Sequence, residues 1–202
     1  HIGVIQALEE NNIPIDYITG TSMGAIIGGL YAAGYSPEEM RTLVLSEEFL
    51  RWSTGKIDSK YIYYFKKEPA DASMINLRIS FEDSAAVAQL PSNLVPTHQM
   101  DFAAMQIFAA QSAHANYHFD SLFVPFRCVA TDIYKNKEVV FSKGNLGSAI
   151  RASMTFPFYF KPISVSDVLL FDGGMKNNFP WDILVEDFRP DYIIGSKTAD
   201  NS

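Results

Sequence analysis

The feature that most restricts how this chain can fold is the run from Pro14 to Gly34. Ile15-Asp16-Tyr17-Ile18-Thr19 reads as a short buried strand, Gly20-Thr21-Ser22-Met23-Gly24 as a sharp turn, and Ala25 to Ala33 as a helix of small residues stopped by Gly34. A serine between glycines at a strand-to-helix junction has the form of a nucleophile elbow, where glycine permits a tight turn that holds the side chain above the end of a sheet. Such a unit needs a sheet for its strand and a helix packed back across it, which commits the chain to a layered α/β architecture. Ser22 is accordingly the first candidate for covalent chemistry.

The flanking segments keep that rhythm. Ile2, Ile5, Ala7 and Leu8 recur at helical spacing before Asn11, Asn12 and Pro14 end the helix. Ser36-Pro37-Glu38-Glu39 combines a capping box with proline at the first helical position and predicts a helix to about Leu45. Met100, Ala103, Ala104, Ile107, Phe108 and Gln111 predict another, ending near His114 to Asn116. Downstream, Phe123 to Ala130 and Glu138 to Phe141 read as strands joined by a turn at Asn136, and Gly147 to Ser153 as a helix. Val168 to Phe171 is a short apolar strand, Pro180 to Phe188 a helix, and Tyr192 to Gly195 a final strand. Phe156-Pro157-Phe158-Tyr159-Phe160 reads as core strand in preference to the wall of an acyl-binding site.

Between Glu47 and Gln99 the pattern turns irregular, with aromatic residues interleaved with lysines, and Ile75 to Phe81 alternates as a half-exposed strand. The expected organisation is one domain over 1–202 carrying a variable cap-like insertion at about 47–99. Side chains from Tyr61 to Phe81 are candidates to face substrate, though an ordinary surface subdomain fits the same composition.

A net charge of −7 argues against a nucleic-acid footprint, which needs clustered Lys and Arg. The single cysteine, Cys128, lies in an apolar run, reads as a buried structural thiol and leaves no disulfide framework. No apolar run approaches the ~20 residues of a membrane-spanning helix. The sequence opens at His1 with neither initiator methionine nor recognisable targeting segment, so the natural N-terminus is expected upstream.

A serine hydroxyl needs a base within hydrogen-bond reach and donors for the developing oxyanion. An ordinary α/β-hydrolase places serine, acid and histidine in that order, but all four histidines here (His1, His98, His114 and His118) precede Asp172. Asp172 ends an apolar strand and is followed by Gly173-Gly174, which let another backbone approach closely. The economical reading is a Ser22–Asp172 dyad in which the carboxylate takes the serine proton, with burial raising its proton affinity. Asp132, after the strand Phe123 to Ala130, is a rival base. No spacing of His, Asp and Glu forms a metal site.

With Gly20-Thr21-Ser22-Met23-Gly24, Asp172-Gly173-Gly174 and Gly147-Ser148-Ala149-Ile150-Arg151-Ala152-Ser153 in view, the chain resembles a bacterial patatin-like phospholipase domain. The resemblance extends to His1-Ile2-Gly3-Val4-Ile5, Val129-Ala130-Thr131-Asp132 and Asn178-Phe179-Pro180, and is weakest over Trp52 to Pro96. It implies a three-layer α/β/α fold with a mostly parallel central sheet, and a Ser-Asp dyad matching Ser22 and Asp172. It further implies hydrolysis of lipid acyl esters through an acyl-enzyme, without metal or cofactor. A lipid or acyl-ester substrate and peripheral contact with a membrane are the partners it implies, for a soluble domain in cytoplasm or periplasm. Members of the family carry a glycine-rich loop just before the helix that here begins at His1, and its N–H groups build most of the oxyanion hole. Those donors are therefore expected upstream of His1, and the donor within this sequence is the Met23 backbone N–H, at a helix N-terminus that favours negative charge. Two other readings stay open: a catalytically weak binding or scaffolding domain of the same fold, and an acyl thioesterase.

Overall fold

The computed structural model describes residues 1–56 and 95–198, together with the backbone of 78–82 and 85–89. Helix α1 (Ile2–Glu10) leads to strand β1 (Ile18–Thr21), which passes through Ser22 into α2 (Met23–Ala32). Helix α3 (Pro37–Val44) starts on the capping box expected of it: Ser36 Oγ accepts the Glu39 N–H and Glu39 Oε2 accepts the Ser36 N–H. Helix α4 (Glu47–Thr54) is capped by Ser46 and stopped by left-handed Gly55; it lies where the sequence pattern is irregular. Strands β2 (Arg78–Glu82) and β3 (Ala85–Gln89) pair antiparallel in a small sheet of their own. Of the stretch expected as a cap-like insertion, residues 57–77, 83–84 and 90–94, among them Tyr61 to Leu77, lie outside the described residues.

The larger sheet is built on β4 (Phe126–Asp132), all seven residues of which are buried. Strand β5 (Lys137–Phe141) runs antiparallel along residues 128–132 of β4. Strand β1 runs parallel to residues 126–129, and β7 (Val168–Asp172) runs antiparallel to residues 130–132. A strand has only two hydrogen-bonding edges, and β5 overlaps both of the other ladders. Hence β1 and β7 share the remaining edge, approaching from opposite ends and meeting where Thr21 pairs with Val129 and Asp172 with Ala130. The residue that follows β1 is Ser22, and the last residue of β7 is Asp172. Strand β6 (Ile163–Val165) completes the sheet beyond β7.

Side chains alternate across β4 and recruit helices to both faces. Phe126 and Cys128 enter a core with α2, α5 (His98–His114) and α6 (Leu146–Ser153), and Ala130 packs with Ala152 and Leu170. Arg127 points the other way, where its Nε donates to Asp187 of α7 (Trp181–Phe188) at 2.5 Å and its guanidinium lies over the Phe188 ring. The result is the expected three-layer α/β/α arrangement. Cys128 is fully buried, and burial pushes its thiol pKa up.

The parallel pairing expected of the central sheet is found at its core, between β1 and β4, and the other three ladders are antiparallel. The structure differs from the sequence reading in two places. Tyr192 to Gly195 is not a strand: a cavity of about 390 Å³ is lined by Pro190 and residues 192–198 and also by β1, and this backbone joins no ladder. Residues 156–160 form a turn rather than a core strand. Only Phe160 is buried there, while Phe156 and Phe158 are exposed and Phe158 has a positive φ of 65°. Among the described residues no helix is long and apolar enough to cross a membrane.

Candidate active site

Ser22 sits between β1 and α2 with φ 54° and ψ −116°, a conformation that L-residues adopt only at a cost of order 1–3 kcal/mol. The turn is so tight that a Cβ on Gly20 would collide with the Gly24 carbonyl oxygen, so only glycine fits there. Gly173 is constrained likewise, because the space of its missing Cβ is taken by the Val129 carbonyl of β4 and the Thr21 methyl. The first close approach shapes the serine turn, and the second lets the ends of β1 and β7 come together.

The outcome is a direct hydrogen bond: Ser22 Oγ donates to Asp172 Oδ2 at 2.7 Å across 150 residues of chain. The other carboxylate oxygen, Oδ1, accepts the Gly174 N–H at 2.7 Å from the 3-10 turn Gly173–Met175. Asp172 is 4% exposed, and its pKa is raised by burial against the opposing pull of the hydrogen bonds from Ser22 and Gly174. A carboxylate with raised proton affinity, bonded to a serine hydroxyl, is suited to accept that hydroxyl's proton.

The main chain of both residues is also held. Ser22 N–H donates to Ser153 Oγ at 3.0 Å, Asp172 N–H donates to the Thr155 carbonyl at 2.8 Å, and Thr131 Oγ1 donates to the Asp172 carbonyl at 2.8 Å. The sequence reading assigns none of these supporting residues a role. The cue it holds is polar residues at the end of an apolar helix, Arg151, Ser153 and Thr155, all of them buried.

Met23 opens α2, where the first-turn amides have no carbonyl within the helix to bond. The carboxylate of Asp132 is committed elsewhere: Oδ1 accepts the N–H groups of Tyr134 and Lys135 at the β4–β5 turn, three positions along β4 from Val129. No histidine hydrogen-bonds Ser22 or Asp172; His1 Nδ1 lies 2.9 Å from Ser196 Oγ, and His98, His114 and His118 are exposed. No group of three or more His, Cys, Asp or Glu residues that could hold a metal ion occurs among the described residues.

Fold and site together define an α/β protein with a half-buried serine, at a strained strand-to-helix turn, bonded to a buried carboxylate. The chain belongs to the patatin-like phospholipase family, whose description matches residues 1–185. It is 30% identical over 180 residues to an uncharacterized NTE family protein of Mycobacterium tuberculosis, covering 89% of this chain and 40% of that protein. It is 28% identical over 192 residues to human patatin-like phospholipase domain-containing protein 6, covering 91% of this chain and 11% of the other. With lysophospholipase NTE1 of Mycosarcoma maydis it shares 28% identity over 185 residues, covering 92% and 8% respectively. The chain therefore spans less than half the length of each of these relatives. Among solved structures, VipD from Legionella pneumophila superposes with a TM-score of 0.50 at 12% identity, covering 89% of this chain and 44% of that one, a likeness of fold.

Proposed function

We propose that this domain is a serine acyl hydrolase that cleaves lipid acyl esters through an acyl-enzyme on Ser22, with Asp172 as general base. The observation that carries the reading is the 2.7 Å hydrogen bond from Ser22 Oγ to a buried carboxylate at the strained turn. Ser22 Oγ attacks the ester carbonyl carbon while Asp172 Oδ2 takes its proton, and the C=O electrons move onto oxygen. Collapse expels the alkoxide, which takes the proton back from Asp172; water, deprotonated by the same carboxylate, then releases the fatty acid and restores Ser22. The tetrahedral oxyanion is met by the Met23 N–H at the α2 N-terminus.

Lipid as the substrate class is supported by the family and by the printed activity of the Mycosarcoma maydis relative, a lysophospholipase. The surroundings of the pair agree. Met23, next to Ser22 and lining the same cavity, is 44% exposed, an apolar side chain beside the nucleophile suited to meet an acyl chain. The test is labelling by a serine-directed fluorophosphonate, combined with release of fatty acid from lysophosphatidylcholine by the full chain. Both signals are expected in the parent and neither in Ser22→Ala. Fatty-acid release that persists in Ser22→Ala rejects the reading, and absence of both signals from the parent favours a binding domain of the same fold.

A further inference from the structure

Two hydrogen bonds that hold the dyad by its main chain come from one short segment. Ser153 Oγ accepts the Ser22 N–H at 3.0 Å, and two residues later the Thr155 carbonyl accepts the Asp172 N–H at 2.8 Å. Both partners are fully buried. The Ser22 amide stands in a backbone conformation that belongs to neither the strand nor the helix it joins, so its partner has to come from a side chain elsewhere. The Asp172 amide, at the end of β7, is paired instead with a main-chain carbonyl, that of Thr155.

The segment that supplies these partners is itself pinned. Arg151 is 2% exposed, its Nη1 donates to Thr155 Oγ1 at 2.7 Å, and Thr155 Oγ1 donates back to the Arg151 carbonyl at 2.7 Å. Arg151 Nε donates to Asp101 Oδ1 of α5 at 2.8 Å, and the guanidinium lies 5.0 Å from the centre of the Phe160 ring. A buried guanidinium paired with a carboxylate and packed on an aromatic face has little freedom to move.

We propose that residues 151–155, the exit of α6, form the positioning element of the site: Ser153 fixes the backbone of the nucleophile, the Thr155 carbonyl fixes the backbone of the base, and Arg151 locks Thr155. Because both anchors belong to one rigid piece, the Ser22 Oγ to Asp172 Oδ2 separation is set by α6 as well as by the two strand ends. None of the three residues touches substrate; each acts through Ser22 or Asp172. The inference rests on the reading of Ser22 and Asp172 as the reacting pair.

The test uses the full chain, with p-nitrophenyl butyrate turnover resolved into kcat and KM. Thr155→Val keeps the shape of the side chain and removes the hydroxyl, Thr155→Ser restores the hydroxyl, and Ser153→Ala removes the partner of the Ser22 amide. Misplacement of reacting groups on the order of 1 Å costs about 100-fold in rate. The expected result is a fall in kcat of about 10- to 100-fold for Thr155→Val and Ser153→Ala, with KM within about twofold and most of the loss recovered in Thr155→Ser. Circular dichroism and a melting curve establish that each variant is folded at the assay temperature; if Thr155→Val is not, Ser153→Ala decides alone. The proposal is overturned if kcat stays within about twofold of the parent in the folded variants, or if KM rises while kcat holds. Ser22→Ala, run alongside, separates the two levels: turnover that survives it defeats the reading of Ser22, whereas turnover that it abolishes while Ser153→Ala remains fully active defeats only the positioning role.

Discussion

Burial and hydrogen bonding pull the Asp172 carboxyl in opposite directions, and burial prevails. The activity consequence is direct. With Asp172 as the base proposed for Ser22, kcat/KM should rise with pH through a limb whose midpoint lies above the ordinary aspartate value of about 3.9, because a base must lose its proton before it can accept another. A pH–rate profile measures this, and a limb at or below that value would show that the hydrogen bonds from Ser22 and Gly174 dominate. The stability consequence has the opposite sign. With its pKa raised in the folded state, Asp172 contributes most below the unfolded-state pKa, and that contribution is lost as pH rises through the folded-state value. An asparagine side chain at this position would carry no charge to bury, and its amide can still accept from Gly174 and donate to Ser22. Asp172→Asn should therefore be inactive, yet more resistant to urea than the parent at neutral pH, with the difference closing below about pH 4. Equal resistance at both pH values would count against burial as the leading cause.

At the scale of elements, the decisive arrangement is the sharing of one β4 edge by β1 and β7. Gly173 makes it possible, since the Val129 carbonyl and the Thr21 methyl fill the space of a Cβ. Both neighbours belong to paired strands and cannot withdraw as a flexible side chain would, so Gly173→Ala should push the end of β7 away from β4. A loss of roughly 1–3 kcal/mol in denaturant unfolding is expected, the range for overpacking, along with a larger relative fall in turnover than in stability. Unchanged turnover would mean that the backbones relax without moving Asp172.

This arrangement also marks the limit of what could be read from the sequence. Ser22 and Asp172 could be picked out because each carries a local signature: glycines around a serine, and an apolar run ending in Asp-Gly-Gly. Capping chemistry located α3 to within a residue of its observed end. Ser153 and Thr155 had no such signature, because their bonds to Ser22 and Asp172 cross 131 and 17 residues and depend on how α6 leaves the sheet. Tyr192 to Gly195 has strand composition but no partner ladder, and composition cannot report that. Strand β6 is only three residues long, too short to show a period.

At the scale of the whole molecule, a buried cation helps tie the layer holding α7 to the sheet. The side chain of Arg127 is 8% exposed, while those of its partners Asp120 and Asp187 are 62% and 36% exposed. Arg127 Nη1 also donates to the Phe126 carbonyl, and its guanidinium lies over the ring of Phe188, which stacks on Tyr17 before β1. The two ends of this network are unequal. Removing the arginine leaves two carboxylates that water can solvate, whereas removing both carboxylates leaves a buried guanidinium without counter-charge. Arg127→Met, which keeps most of the packed stem, should alter unfolding free energy by only about 1 kcal/mol, whereas the double variant Asp120→Ala/Asp187→Ala should lose roughly 3 kcal/mol or more. Surface ion pairs would give the reverse expectation, near-zero effects for every variant and strong attenuation by salt. Urea unfolding of the three proteins at low and high ionic strength distinguishes the cases. If the double variant is as stable as Arg127→Met, the attachment of α7 rests on the stacking of Tyr17 and Phe188 rather than on the buried charge.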